Sequence, residues 1–166
     1  LEKVVRVLHC FINRIIAYIV DIGFIIMAKN DLGGWTLTLL RVVLGVILAY
    51  HGYLKMFVPG VFKGTVEFFA SVGIPLASYS ALAASIAEFA GGIFLILGIF
   101  TRWTTLVLIF EMLVALSAVH IKNGLLVSKG GYEFVLLILA ALVVLLVNGA
   151  GPLSLGKKLF KNKQLQ

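Results

Sequence analysis

Four apolar runs dominate the chain, and each is long enough to cross a membrane as a helix. A spanning helix needs about 20 mostly apolar residues. The runs cover residues 35–57, 76–100, 103–121 and 132–148, and glycine, proline or charged residues separate them. With 61% hydrophobic and 13% charged residues, the chain lies far from the composition of a soluble domain. We therefore expect a multi-pass protein of the cell membrane, embedded in the lipid bilayer.

The expected fold is all-α: a transmembrane four-helix bundle with an additional N-terminal helix. Residues 1–28 would form this extension, residues 29–155 the four-helix membrane domain, and residues 156–166 a basic C-terminal tail. In the stretch 4–28 polar residues recur at three- and four-residue spacing, which is typical of an amphipathic helix. The pattern leaves open whether that helix lies along the membrane interface or crosses the bilayer.

The net charge of +7 does not indicate a nucleic-acid partner, because the basic residues do not cluster on one face. They lie at the ends of the apolar runs and in the tail. The N-terminal flank, the turn at Arg102 and the tail together carry more of them than the opposite loops, which favours a cytoplasmic location for both ends of the four-helix unit. Between the first two runs, "TVEFFASVG" predicts a short interfacial helix whose Phe62, Phe68 and Phe69 contact lipid.

Ionisable residues lie inside the apolar runs, where a charge needs a partner or a function. At a rise of about 1.5 Å per residue, Arg41 lies about 9 Å along the first run and Glu111 about 12 Å along the third, from the same side. The similar depth predicts a structural ion pair of Arg41 with Glu111 or with Glu88, which is near the middle of the second run. Small residues such as Gly45, Gly52 and Gly92 share the faces of these charges and indicate close helix packing around a polar interior.

A second group of polar residues falls near the opposite ends of the runs, and it suggests a ligand site. His51, Lys55 and Glu133 could together hydrogen-bond a quinone carbonyl, and Glu88 could carry a proton or anchor a ligand. The candidates for a ligand- or quinone-proximal role are His51, Lys55, Glu88, His120 and Glu133. Haem is disfavoured, because His120 lies half a turn from Glu111 and would face away from the bundle centre. Nothing else supplies a metal-ligand set, and no residue is singled out as catalytic.

Several motifs together resemble the DoxX family of small four-helix membrane proteins. They are "LLRVVLGVILAYHGYLKMF", "GTVEFFASVGIP", "AEFAGGIFLILGIFTR", "VHIKNGL", "GYEFVLLILAAL" and "GPLSLG", in the family's order through residues 39–155. Positions that recur in the family fall here on Arg41, His51, Gly52, Lys55, Glu88, Gly92, Thr101, Arg102, His120, Asn123, Gly124, Tyr132 and Glu133. The resemblance does not cover the N-terminal 26 residues, and it brings no agreed catalytic set.

The resemblance implies a redox setting, since the family is named for its similarity to a subunit of archaeal quinol oxidase and thiosulfate:quinone oxidoreductase complexes. The leading hypothesis is an integral membrane subunit of a respiratory, quinone-linked complex, not catalytic alone and associated with other membrane subunits. A stand-alone small-molecule or proton-coupled carrier is the second hypothesis, with Glu88 as the protonated site. A structural or assembly subunit without a ligand is the third.

Overall fold

The computed structural model describes residues 32–159. Its contacts divide the chain into two compact units, residues 1–36 and 37–166. Of the first unit only residues 32–36 are described; they begin the first helix, where the Thr36 hydroxyl donates to the Gly33 carbonyl at 2.8 Å. The N-terminal helix expected over residues 4–28 and the last residues of the basic tail lie outside the described part of the chain.

The described residues form helices joined by short loops and contain no strand, so the expected all-α fold is confirmed. The helices are α1 (Leu32–Phe57), α2 (Val61–Ser71), α3 (Ala77–Leu97), α4 (Thr101–Ala115), α5 (Glu133–Asn148) and α6 (Leu155–Leu159). α4 continues without a break into a π-helical turn, Leu116–His120, and a 3₁₀ turn, Ile121–Asn123. A further 3₁₀ turn, Val127–Lys129, lies in the loop before α5.

Three helical segments are long and apolar enough to cross a membrane: α1, α3 and the continuous segment Thr101–Asn123. They match three of the expected runs, and the protein is a multi-pass membrane protein. The fourth run also forms an apolar helix, α5, but its 16 residues give it a length of only about 24 Å. Large apolar side chains such as Leu137 and Val147 are more than 60% exposed, as lipid-facing residues are in a bundle without its bilayer.

The apolar core lies where α1, α3, α4 and α5 meet. Its fully buried members are Leu48, Leu95, Leu108, Leu142 and Leu145. α4 packs along α5 and α3, and the short helix α2 packs on α3. Because lipid tails are as apolar as leucine, this packing depends on close fit between helices more than on exclusion of water.

α1 and α3 cross almost backbone to backbone at three glycines. A Cβ atom on Gly52 would lie 2.3 Å from the Phe89 amide nitrogen, and one on Gly92 would lie 2.3 Å from the Ala49 amide nitrogen. Gly45 is in similar contact with the Gly92 carbonyl oxygen, at 2.8 Å from its would-be Cβ. The expected close packing at these small residues is confirmed, and it brings the charged faces of α1 and α3 together.

Arg41 ties α1 to the segment that follows α5. Its side chain is 1% exposed, and Nη2 donates to the Leu153 carbonyl oxygen. The Ser154 hydroxyl donates to the Gly98 carbonyl oxygen at 2.7 Å, and the Gly156 amide donates to the same oxygen at 3.1 Å. These bonds join α1, the α3–α4 turn and the C-terminal segment into one anchor.

The structure corrects the expected ion pair of Arg41 with Glu111 or Glu88. Among the described residues, Arg41 forms no ion pair, and Glu88 pairs with Lys55 instead. The number of residues along an apolar run gives the height of a charge in its helix but not the direction of its side chain. It also could not include the Leu153 carbonyl, because nothing in the sequence indicated that residues 149–154 fold back against α1.

The packing of Arg41 over Gly98 leads to a stability prediction. Gly98 has φ +69°, and a Cβ there would lie 1.6 Å from Arg41 Nη1. We expect Gly98→Ala to lower the free energy of unfolding by about 2 kcal/mol more than Gly73→Ala, because added atoms in a packed site force side chains apart. Gly73 is a matched control: it ends α2 with the same pair of backbone hydrogen bonds and a positive φ, and nothing lies within 4 Å of its would-be Cβ. Denaturation by SDS in mixed micelles measures the free energy of unfolding of both variants. Equal losses of stability would contradict the close packing of Arg41 against Gly98.

Candidate functional site

A cavity of about 1080 Å³ lies among α1, α2, α3, α4 and the first turns of α5. Cavities that bind small molecules are usually about 300–1,000 Å³, so this one has room for a sizeable ligand. Its wall is mainly apolar and includes Ile47, Phe68, Phe69, Ile74, Phe110, Phe134 and Ile138. Phe68 and Phe69, which the sequence placed against lipid, thus border the cavity from α2. The apolar wall favours a ligand with a large hydrophobic part.

Five ionisable side chains also line this cavity: His51, Lys55, Glu88, Glu111 and His120. Four of them belong to the set of ligand-proximal residues expected from the sequence. They come from α1, α3, α4 and the π turn, so the fold brings together residues that are up to 69 positions apart, from His51 to His120. The cavity therefore combines apolar walls with a small set of hydrogen-bonding and charged groups.

The fifth expected residue, Glu133, does not line the cavity. Its Oε1 accepts a hydrogen bond from the Val127 amide at 2.5 Å. Glu133 is the first residue of α5, where a carboxylate is favoured by the helix dipole. The bond holds the loop before α5 against the start of that helix, which gives Glu133 a structural position.

Lys55 and Glu88 form the central ion pair of the cavity. The distance from Lys55 Nζ to Glu88 Oε2 is 2.7 Å, and the two side chains are 22% and 8% exposed. Counting residues placed Glu88 mid-span and Lys55 near the end of its span. The long aliphatic stem of lysine closes that difference in depth and carries the ammonium group inward. The pair therefore holds one positive charge deep in the bundle.

Glu111 is the residue that sequence reasoning did not assign to this site. Its side chain borders the same cavity as the Lys55–Glu88 ion pair. Glu111 Oε2 is buried, and no donor among the described residues reaches it. The signal was present in the sequence, because Glu111 shares a helical face with Ala115, which also lines the cavity. Glu111 was not assigned to the ligand site because it was expected to pair with Arg41.

His120 reaches the cavity because α4 widens into the π turn. In a regular α-helix, nine residues separate Glu111 and His120 by half a turn, which predicted that His120 faces outward. A π turn contains more residues per turn, so it changes the direction in which all later side chains point. His120 consequently borders the cavity, and its Nδ1 lies 2.7 Å from the Gly130 carbonyl oxygen. The expectation of an outward-facing His120 is wrong.

Both cavity histidines are oriented by backbone carbonyl groups. His51 Nδ1 lies 2.9 Å from the Ile47 carbonyl oxygen, as His120 Nδ1 lies against that of Gly130. A carbonyl oxygen only accepts, so each Nδ1 carries a proton and donates. In the neutral ring Nε2 is then an acceptor, whereas in the charged ring it is a donor. Each histidine can thus serve either an oxygen that accepts or a hydroxyl that donates.

Most of the residues that line the cavity lie in a region that matches a known protein family. The family model DoxX matches residues 36–121, which is just over half of the chain and includes all five ionisable residues of the cavity. The chain belongs to the DoxX family. A relative from Bacillus subtilis (strain 168), named "Putative oxidoreductase CatD", is 32% identical over 126 residues, covering 76% of this chain and 88% of the relative. No solved structure matches the chain.

Within the described residues, this DoxX protein has no group of three or more His, Cys, Asp or Glu side chains arranged to hold a metal ion. The side chains that line the cavity of this DoxX protein can supply hydrogen bonding, charge and proton exchange. Lys55, Glu88 and Glu111 supply the charges, and the two histidines supply groups that can accept or donate.

Proposed function

We propose that this DoxX protein is the quinone-binding membrane subunit of a redox assembly. The observation that supports the proposal is the cavity, which combines a long apolar wall with one group of charged and hydrogen-bonding side chains. A lipid-soluble quinone likewise has an apolar part, its tail, and a polar part, a ring that carries two carbonyl oxygens. In the bilayer such a molecule would be available directly from the lipid.

The residues present fit a quinone ring. The Lys55 ammonium group has three donors, and its ion pair with Glu88 leaves donors for a carbonyl oxygen. The Nε2 atoms of His51 and His120 could accept the hydroxyl protons of the reduced ring. A bound quinone would supply a mobile two-electron carrier, while the chain's own residues would bind the ring, orient it and exchange protons with it.

The redox context of the proposal comes from the family and from the name of the Bacillus subtilis relative, which contains the word oxidoreductase. On this proposal the chain acts as a subunit and receives its electrons through partner proteins of the same membrane. Residues 29–155 would form the quinone-binding unit, and residues 1–28 would form a helix that docks onto those partners.

Photoaffinity labelling tests the proposal directly. The full chain in lipid nanodiscs would be illuminated with an azido-quinone and then digested. We expect labels in cavity peptides around residues 47–55 and 107–115, removed by excess unlabelled quinone. Because a hydrogen bond to a charged group contributes about 1.5–3 kcal/mol, the double variant Lys55→Met/Glu88→Leu should need about tenfold more azido-quinone or more.

Lys63→Met is the matched control for this experiment. Lys63 is also paired with a glutamate, Glu67, but its side chain is 84% exposed and lies outside the cavity wall. Its variant should be labelled as the unmodified protein is. Labelling that excess quinone does not remove, or that is equal in the cavity variant and in the unmodified protein, would overturn the proposal in favour of a structural role.

A further inference from the structure

The charges in the cavity do not balance unless a proton is added. Lys55 contributes one positive charge, while Glu88 and Glu111 contribute two carboxyl groups. Glu111 Oε2 is buried and no donor among the described residues reaches it, so an ionised Glu111 would leave a buried carboxylate oxygen without a hydrogen bond. Two like charges in one mainly apolar cavity also disfavour ionisation of both groups. The geometry therefore leads to one proton shared by the pair.

The surroundings of the pair supply few other titratable groups. α1 contributes Lys55 and His51, and the π turn contributes His120. The cavity-lining residues of α2, of α5 and of the loops carry no ionisable side chain. Arg41, the buried cation at the other end of α1, bonds the Leu153 carbonyl group and forms no ion pair with either glutamate. Lys55 is thus the cation that decides which carboxyl group is ionised.

We propose that Glu88 and Glu111 share one proton, and that Glu111 presents this proton to an oxygen atom of a carbonyl-bearing ligand in the cavity. Glu88 is the ionised member, because Lys55 lies 2.7 Å from its Oε2. Glu111 has no ion-pair partner within that distance among the described residues, and its Oε2 has no donor. The identity of the ligand as a quinone rests on the proposed function, whereas the shared proton does not.

Infrared spectroscopy detects the shared proton without any ligand. The full chain in nanodiscs at neutral pH should show the carbonyl stretch of a protonated carboxylic acid, sensitive to exchange into D₂O. A shared proton needs both carboxyl groups, so Glu111→Gln and Glu88→Gln should each remove this band. Glu67→Gln should leave it unchanged, because the Glu67 side chain is 67% exposed and lies outside the cavity. A spectrum without the band, or a band that survives both cavity substitutions, would overturn the shared proton.

Donation by Glu111 is tested by binding of a short-chain quinone analogue as a function of pH. In the unmodified protein the affinity should fall at least about tenfold as the shared proton is lost at high pH, since a donor to the carbonyl oxygen is lost. A carboxamide donates at every pH, so Glu111→Gln should bind with little dependence on pH, and Glu111→Leu should bind weakly throughout.

The two experiments separate this inference from the proposed function. If quinone binds but the carboxylic acid band is absent, the shared proton is overturned and quinone binding stands. If the band is present but no quinone analogue binds at any pH, the donating role and the proposed function both fail. An identical pH dependence in Glu111→Gln and in the unmodified protein would overturn Glu111 as the donor.

Discussion

Gly92→Val is expected to lower the free energy of unfolding by more than about 3 kcal/mol, because overpacking a tight helix contact forces backbones apart. A Cβ at position 92 would lie 2.3 Å from the amide nitrogen of Ala49. The obstacle is the backbone of α1, which cannot rotate away as a side chain could. SDS denaturation in mixed micelles, followed by circular dichroism, measures the loss.

Gly64→Val is the matched control for the substitution at Gly92. Gly64 lies on the short helix α2, and nothing occurs within 4 Å of its would-be Cβ. Its replacement should change stability by less than about 0.5 kcal/mol, as is usual for surface substitutions. Equal stability of the two variants would mean that α1 and α3 are farther apart than their backbones indicate here.

Lys55→Met is expected to destabilise the protein by about 3–5 kcal/mol, because it leaves the buried carboxylate of Glu88 without its cation. The effect arises from the uncompensated charge and not from lost apolar contact, since methionine occupies a similar volume. Lys55→Met/Glu88→Leu should recover most of the loss, because it removes both members of the pair. Thermal unfolding in detergent of the unmodified protein, the Lys55→Met variant and the double variant gives their order of stability.

Lys63→Met provides the comparison for an exposed pair. The distance from Lys63 to Glu67 is 3.8 Å, and both side chains are mostly in contact with solvent or headgroups. Exposed pairs of this kind contribute about 0–1 kcal/mol, so the variant should unfold nearly as the unmodified protein does. If the double variant at the cavity were less stable than Lys55→Met, the energetic account of the central pair would be wrong.

Much of the fold followed from the sequence because membrane insertion imposes simple constraints. The apolar runs correspond to α1, α3, the continuous segment Thr101–Asn123 and α5, with ends that differ by up to three residues, since a membrane span needs a long apolar helix. The inward face of α1 was also predicted: Arg41, Gly45 and Gly52 are all buried. Charges and small residues identify that face, because neither is favoured against acyl chains.

The details of the site followed less well, because spacing along a helix gives height and an idealised direction only. The π turn redirects His120, and the reach of Lys55 toward Glu88 depends on a flexible stem. Glu133 was misplaced for a different reason, since its partner is a loop amide that no periodic pattern predicts. Each error arose where a side chain or a loop, and not a regular helix, decided the contact.

The shortness of α5 has a consequence for the surrounding lipid. A helix of 16 residues is about 24 Å long, while the hydrocarbon layer is about 30 Å thick. Mismatch of this kind thins the adjacent leaflets or draws polar flanking groups toward the headgroups, at a small cost for each ångström. The side of the bundle formed by α5 would therefore be accommodated best in thin membranes or next to a neighbouring protein that covers it.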